Sequence, residues 1–292
     1  LNPEQVEEWD DEKIDLMNNE IIELPERPIC PNLRELFLQI GYHLMVIPTT
    51  FFELMPALQV LDLSYTSIKS LPHSISKLVA LRKFFLKGCD LLKKLPPQIG
   101  ALRNLQMFDG EGTELICLPK EIGELINLTC LKVSFYGHAN RCRESNQIDE
   151  IIPRTALSKL TELKELIIDV NPDGEWWDGE VKVIINGLCS LIKLETLNLY
   201  LPTVELLQQF LQLKRNSDQS LIYPTLSHFR LTVGRHDEHI IYHLPQQLEE
   251  EFKKLEKCLK YINGEGKTIE ITKALKHVNA FFLDRHWTVK KL

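Results

Sequence analysis

The chain predicts an α/β solenoid: a horseshoe with a parallel sheet on its concave side, and short helical turns, then longer helices, on its convex side. Three observations predict it. The segment LxxLxL, or a close variant, returns eight times, opening at Leu33, Leu58, Leu81, Leu105, Leu128, Leu163, Leu194 and Leu226. The intervals are 25, 23, 24, 23, 35, 31 and 32 residues, a period that marks stacked supersecondary units. The early copies each carry a Leu-Pro or Ile-Pro step, at Pro25, Pro48, Pro72, Pro96 and Pro119. One such unit cannot bury its apolar face alone, so the units must stack.

The unit is a leucine-rich repeat, and its parts can be justified in order. The first copy is degenerate: Ile14, Leu16, Asn19, Ile21 and Leu24-Pro25 fit, while Asp11 replaces the opening leucine. An end repeat tolerates this because it meets solvent or another domain. After Leu58 the frame runs Leu61, Leu63, Thr66, Ile68, Leu71-Pro72, Ile75 and Leu78; after Leu105 it runs Phe108, Thr113, Leu115, Leu118-Pro119, Ile122 and Leu125. Asn19, Thr66, Cys89 and Thr113 share the position where the chain leaves the strand. A small polar side chain there satisfies backbone groups that stacking would bury unpaired. The prolines fix φ and lack a donor, which suits a turn into a short helical return.

Beyond Leu128 the units lengthen. Gly137 to Asn146 is polar and reads as a loop. Val181, Ile184, Ile185, Leu188 and Leu191 fall at helical spacing, as do Leu206, Leu207, Phe210 and Leu211. After Leu231 the pattern fails. Leu248, Phe252, Leu255, Leu259 and Ile262 then predict an amphipathic helix opened by Pro245 and stopped at Asn263-Gly264. Thr268 to Thr272 and Ala280 to Val289 can add a strand or two. The expected organisation is a solenoid over 1–244 and a continuous C-terminal helix-and-strand cap over 245–292.

Composition sets broad bounds on function. The 292 residues are 44% hydrophobic and 26% charged with net charge -7, ordinary for folded soluble protein and without global attraction for nucleic acid or anionic membrane. No apolar run reaches the ~18 residues of a membrane span. The start, Leu1-Asn2-Pro3, has neither Met nor a signal pattern and reads as a piece of a longer chain. The seven cysteines include no CxxC and read as free, mostly buried thiols in a reducing compartment. The sequon Asn127-Leu128-Thr129 opens a predicted strand, poor support for secretion. The expected location is cytoplasmic; peripheral attachment to the plasma membrane through other parts of the parent stays open.

Three segments imitate chemistry. Gly264-Glu265-Gly266-Lys267-Thr268 ends like a phosphate-binding loop, but Tyr261 stands where the first glycine belongs, so a turn is preferred. His236, His239 and His243 can share a helical face, and Cys130, His138 and Cys142 lie near one another, yet neither set completes a metal site. No serine elbow, paired-carboxylate motif or HExxH appears. The chain is read as a non-enzyme that holds no cofactor or metal of its own.

What remains is surface. Strand side chains alternate, so the residues between the leucines face outward. The candidate protein-binding residues are Glu35, Phe37, Asp62, Lys83, Phe85, Lys87, Asp109, Glu111, Lys132, Tyr200 and Arg230 on the strands, and Trp176 and Trp177 in a turn-rich loop. Charges of both signs alternate here, whereas a phosphate backbone would want one basic stripe. Exposed aromatics are enriched among interface anchors. Phe37, Phe85 and Tyr200 can equally cover neighbouring strands, and the tryptophans can tuck over the core edge.

Leu16-Met17-Asn18-Asn19-Glu20-Ile21-Ile22-Glu23-Leu24-Pro25 and Pro31-Asn32-Leu33-Arg34-Glu35-Leu36-Phe37-Leu38 resemble the opening repeats of plant NLR immune receptors (nucleotide-binding, leucine-rich repeat) of the coiled-coil class. Leu58 to Leu81 is similar to their internal repeat, and Cys258 to Gly266 with Ala280 to His286 to their tail. The equivalents of the extracellular LxGxIP are Ile68-Lys69-Ser70-Leu71-Pro72 and Leu115-Ile116-Cys117-Leu118-Pro119, which fits the intracellular class. The resemblance implies a recognition and autoinhibition module. Its partners would be a pathogen effector, a guarded host protein or the receptor's own switch domain, and ADP or ATP would belong to that absent domain. Two other readings stay open: a scaffold regulating a small GTPase or phosphatase, and the substrate receptor of a ubiquitin ligase. The sequence leaves the oligomeric state undetermined.

Overall fold

The computed structural model describes residues 10–19, 21–136, 150–170, 177–235, 255–262 and 274–284. They fall into two compact units, Leu1–Leu163 and Lys164–Leu292. The expected loop at 137–146, the three-histidine cluster, the Gly-Lys-Thr turn, Trp176 and residues 245–254 of the expected helix lie outside the described residues.

In the first unit six strands pair in parallel in chain order: β1 Lys13–Asp15, β2 Glu35–Phe37, β3 Val60–Asp62, β4 Lys83–Phe85, β5 Met107–Gly110 and β6 Cys130–Phe135. Ile14, Leu36, Leu61, Phe84, Phe108 and Leu131 sit opposite one another across the sheet. From Leu36 onward that row is fully buried, as are the opening leucines Leu33, Leu58, Leu81, Leu105 and Leu128. Each such side chain contributes about 1.5–3 kcal/mol by leaving water. The degenerate first copy does form a strand, since Ile14 keeps the inward position although Asp11 has lost the opening leucine.

The return segments follow from proline. Pro72, Pro96 and Pro119, at φ -73°, -72° and -68°, each precede a 3-10 helix, at His73–Lys77, Pro97–Ala101 and Lys120–Glu124. The N–H groups of Leu78, Leu102 and Leu125 then donate to the carbonyls of Ile75, Ile99 and Ile122, turning the chain back toward the next strand. A short helix, α1 Arg154–Leu157, follows in the sixth unit.

The strand exit behaves as its polar residues predict. The Thr66 hydroxyl donates to Leu63 O at 2.7 Å and the Thr113 hydroxyl to Gly110 O at 2.7 Å; the Cys89 thiol donates to Leu63 O at 3.0 Å. All three side chains are buried, so they supply Leu63 O and Gly110 O with partners where water does not reach. Asn18, Ile40, Tyr65, Gly88 and Gly112 occupy the same turn with φ between 57° and 73°. At Gly88 the glycine is required, because a Cβ would stand 2.4 Å from the Tyr65 ring. On the entry side, Asn104 Nδ2 donates to Val79 O at 2.9 Å and Asn127 Nδ2 to Arg103 O at 2.8 Å. The sequon asparagine is thus a rung between repeats.

In the second unit β7 Glu165–Val170, β8 Thr196–Leu201, β9 His228–Val233, β10 Lys257–Ile262 and β11 Ala280–Asp284 also pair in parallel in chain order. Helices replace the 3-10 turns: α2 Trp177–Leu188, α3 Val204–Leu211 and α4 Ile222–Thr225. The expected apolar faces point inward, with Val181, Ile184, Ile185 and Leu188 of α2 and Leu206, Leu207 and Phe210 of α3 buried. Thr203 caps α3, its hydroxyl accepting the Leu206 N–H at 3.4 Å.

Residues 257–262 correct the expected C-terminal helix, because they form β10. Leu255, Leu259 and Ile262 satisfy a helical period, but Cys258 and Tyr261 are buried as well. A parallel strand covered on both faces reads as an apolar run that periodicity alone does not distinguish from a helix.

Arg215 was not singled out by its sequence. It is buried, and its guanidinium donates to the carbonyls of Leu191, Ile192 and Leu194 and to the Thr225 hydroxyl. One cation thereby closes the turn before β8 against α4. The six described cysteines are free thiols; Cys30, Cys89, Cys130 and Cys258 are buried and Cys117 and Cys189 half-buried. No helix among the described residues is long and apolar enough to cross a membrane.

Candidate protein-binding face

The strand register of the first unit arranges the outward side chains in rows. One row reads Lys13, Glu35, Val60, Lys83, Met107, Cys130; the next reads Asp15, Phe37, Asp62, Phe85, Asp109, Lys132. Carboxylates and phenyl rings therefore alternate at about 4.8 Å per strand. The aspartates are partly committed to the backbone: Asp15, Asp62 and Asp109 each accept the N–H two residues on, at 3.1, 2.8 and 3.1 Å. This ties each strand to its exit turn and leaves the remaining carboxylate lone pairs facing outward.

The two rings differ. Phe37 lies beneath Lys13, whose ammonium is 4.7 Å from the ring centre and 3.7 Å from Glu35. Phe85 is half-buried and has no such cation over it among the described residues. Along β4 it is flanked by Lys83 and Lys87, both exposed, and across the sheet by Asp62 and Asp109. These four charged groups form no ion pair with one another. The result is an aromatic centre inside a cross of charges that are not paired with one another.

Of the sequence-derived candidates, Glu35, Phe37, Asp62, Lys83, Phe85, Asp109 and Lys132 thus share two rows, while Lys87 and Glu111 lie just beyond the strand ends. The first repeat contributes Lys13 and Asp15, outward positions that its degenerate sequence hides because Asp11 stands in place of the leucine that sets the frame. Alternation did not guarantee exposure: Ser64, Cys130, Ser134 and Ile167 are buried although they alternate with the leucines. Ser134 is held inward by accepting the Gly112 N–H at 2.9 Å.

Two candidates are structural instead. Trp177 is fully buried at the start of α2, and its indole N–H donates to Tyr200 O at 2.9 Å. Tyr200 is only 5% exposed, and its hydroxyl donates to Gly234 O at 3.0 Å. Both rings fasten β8 to its surroundings, as buried aromatics with a polar tip do.

Arg230 belongs to the outer face of the second unit. It pairs in register with Asn198 on β8 and Cys258 on β10. Around it is an open depression of about 280 Å³ lined by Glu165, Thr196, Asn198, His228, Arg230 and Glu256.

Stacked parallel strands with buried leucines, prolines before short returns and polar exits define a repeat fold, and a family model described as a leucine-rich repeat region matches residues 51–255. The chain belongs to the leucine-rich repeat family. This leucine-rich repeat chain is 30% identical over 241 residues to the Arabidopsis thaliana "Disease resistance protein At4g27190", covering 77% of the chain and 22% of that relative. It is also 30% identical over 181 residues to "Disease resistance protein UNI" of the same plant, covering 61% of the chain and 19% of the relative. With "Disease resistance protein SUMM2" it shares 43% identity over 94 residues, 32% of the chain and 10% of the relative. The leucine-rich repeats here thus span between 10% and 22% of the length of these relatives. Among solved structures, an internalin from Listeria monocytogenes has the same fold, with a TM-score of 0.50, 16% identity and coverage of 86% of this chain and 61% of that one.

Proposed function

We propose that these repeats are the recognition and autoinhibition module of a plant intracellular immune receptor, working in the cytoplasm. The module engages a pathogen effector, a guarded host protein or the receptor's own switch domain. The disease-resistance relatives support the setting. The observation that carries the binding reading is the Phe85 cross. A half-buried ring surrounded by Lys83, Lys87, Asp62 and Asp109 combines an apolar anchor with charges that select a partner's orientation. Binding there biases the parent between its off and on states by the difference in affinity for the two. Any ADP or ATP belongs to the switch domain of the parent.

The test uses the full-length receptor. Phe85→Ala and the double charge reversal Lys83→Glu with Lys87→Glu should leave the fold intact, because none of the three is in the core. Each should shift defence signalling: constitutive if the face holds the switch, lost on pathogen challenge if it reads an effector. Truncating a central aromatic anchor weakens binding by about 2 kcal/mol, roughly 30-fold. Normal signalling in both variants, at normal protein levels, refutes the reading.

A further inference from the structure

Among the described residues, Arg230 is a cation with no hydrogen-bonded or ion-paired partner. Its Nε–H is buried with no acceptor, and no hydrogen bond or ion pair reaches its guanidinium among the described residues. The other two described arginines of the second unit are engaged. Arg215 donates to three carbonyls and a hydroxyl, and Arg235 pairs with Asp178. A buried guanidinium N–H calls for an acceptor, and a planar oxyanion matches its fork.

The surroundings indicate what would relieve it. Arg230 lines the open depression of about 280 Å³, together with the Asn198 amide and the Thr196 hydroxyl on the adjacent strand. Neither rim carboxylate forms an ion pair with the guanidinium: Glu256 lies 4.0 Å from His228 Nε2, and Glu165 makes an interaction of its own. The guanidinium therefore keeps a buried donor to fill, while the rim carboxylates disfavour a dianion. A single planar anion whose two oxygens match the guanidinium fork meets both conditions. Ile167 and Leu255 supply apolar wall for an aliphatic stem.

We propose that this depression binds a carboxylate group, seated on Arg230 with Asn198 and Thr196 as further donors. The carboxylate can come from an acidic side chain of a bound protein or from a free small carboxylic acid, and the chemistry at Arg230 is the same. The site lies in the second unit and does not depend on the Phe85 face.

The test follows the Arg230 Nε–H and Asn198 amide signals by 15N NMR of the 292-residue chain, assigning the first by its loss in Arg230→Lys. N-acetylglutamate α-amide, glutarate, inorganic phosphate and chloride are titrated at constant ionic strength. Saturable shifts with the carboxylates, at least tenfold tighter than with phosphate or chloride, are expected. Tighter binding of the blocked glutamate assigns a side-chain source, and tighter binding of glutarate a free acid. Arg230→Lys keeps the charge but loses the fork, so its Asn198 shift should weaken at least tenfold. If that variant loses its near-UV circular dichroism, Thr196→Val replaces it and should weaken carboxylate binding severalfold. Shifts that fail to saturate, that chloride reproduces equally, or that survive the substitution unchanged overturn the proposal.

Discussion

Replacing Gly234 by alanine should loosen the end of the second unit by about 3 kcal/mol. Gly234 closes β9 at φ +91°, and a Cβ there would stand 1.9 Å from Ile262 O and 3.0 Å from Ile262 C. Both atoms are backbone at the end of β10, so no side chain can swing aside. The left-handed conformation costs alanine about 1–2 kcal/mol. Forcing the strands apart adds about 1–3 kcal/mol. Displacing the Gly234 carbonyl also strains the 3.0 Å bond from the Tyr200 hydroxyl, worth about 1 kcal/mol. Against these, alanine lowers the entropy of the unfolded chain by the equivalent of about 0.4–1 kcal/mol. Urea denaturation followed by circular dichroism measures the net loss, and Tyr200→Phe isolates the hydroxyl at about 1 kcal/mol. Repeat arrays lose stability at the nearest interface. Amides joining β9 to β10, such as Phe229 N–H on Glu256 O at 2.8 Å, should therefore lose hydrogen-exchange protection before those of β3 and β4. A Gly234→Ala chain within about 0.5 kcal/mol of wild type, with the Phe229 amide still protected, would refute the steric reasoning.

Two further outcomes follow from the same packing. Arg215→Met should cost about 3 kcal/mol in thermal or urea unfolding, because it strands buried carbonyls that a cation now serves; Arg215→Lys should not restore the loss, since one ammonium cannot span that set, and a full rescue by lysine would contradict the geometry. Burial pushes the Cys89 and Cys258 thiols up from their ordinary range, so iodoacetamide at pH 8 should modify half-buried Cys117 before Cys30, Cys89, Cys130 and Cys258, with the buried four reacting only in denaturant; mass spectrometry that found Cys89 alkylated first in the native chain would count against its buried position.

Much of the fold was readable because repetition tests each position several times. Thr66, Cys89 and Thr113 were assigned to one polar exit from spacing alone, and each is found donating to a strand carbonyl. Pro72, Pro96 and Pro119 likewise open three equivalent returns. Legibility faded where repetition did. At β10 the run Cys258-Leu259-Lys260-Tyr261-Ile262 has apolar residues toward both faces, and without a neighbouring copy in phase it took on the period of a helix. The candidate face was only partly readable for a similar reason. Alternation tells which way a side chain leaves a strand, not whether another element covers it. Tyr200 leaves β8 outward and is nevertheless held against Gly234.

By itself the sequence determined the repeat unit, its inward leucines and its polar exits, because these depend on local geometry that recurs with the period. Tertiary structure decided how the rows line up. Register between strands distant in sequence set Phe85 between Asp62 and Asp109, and Arg230 between Asn198 and Cys258. It also turned Trp177 and Tyr200 from exposed candidates into fastenings, since burial depends on what packs above a side chain and no spacing along one segment encodes that.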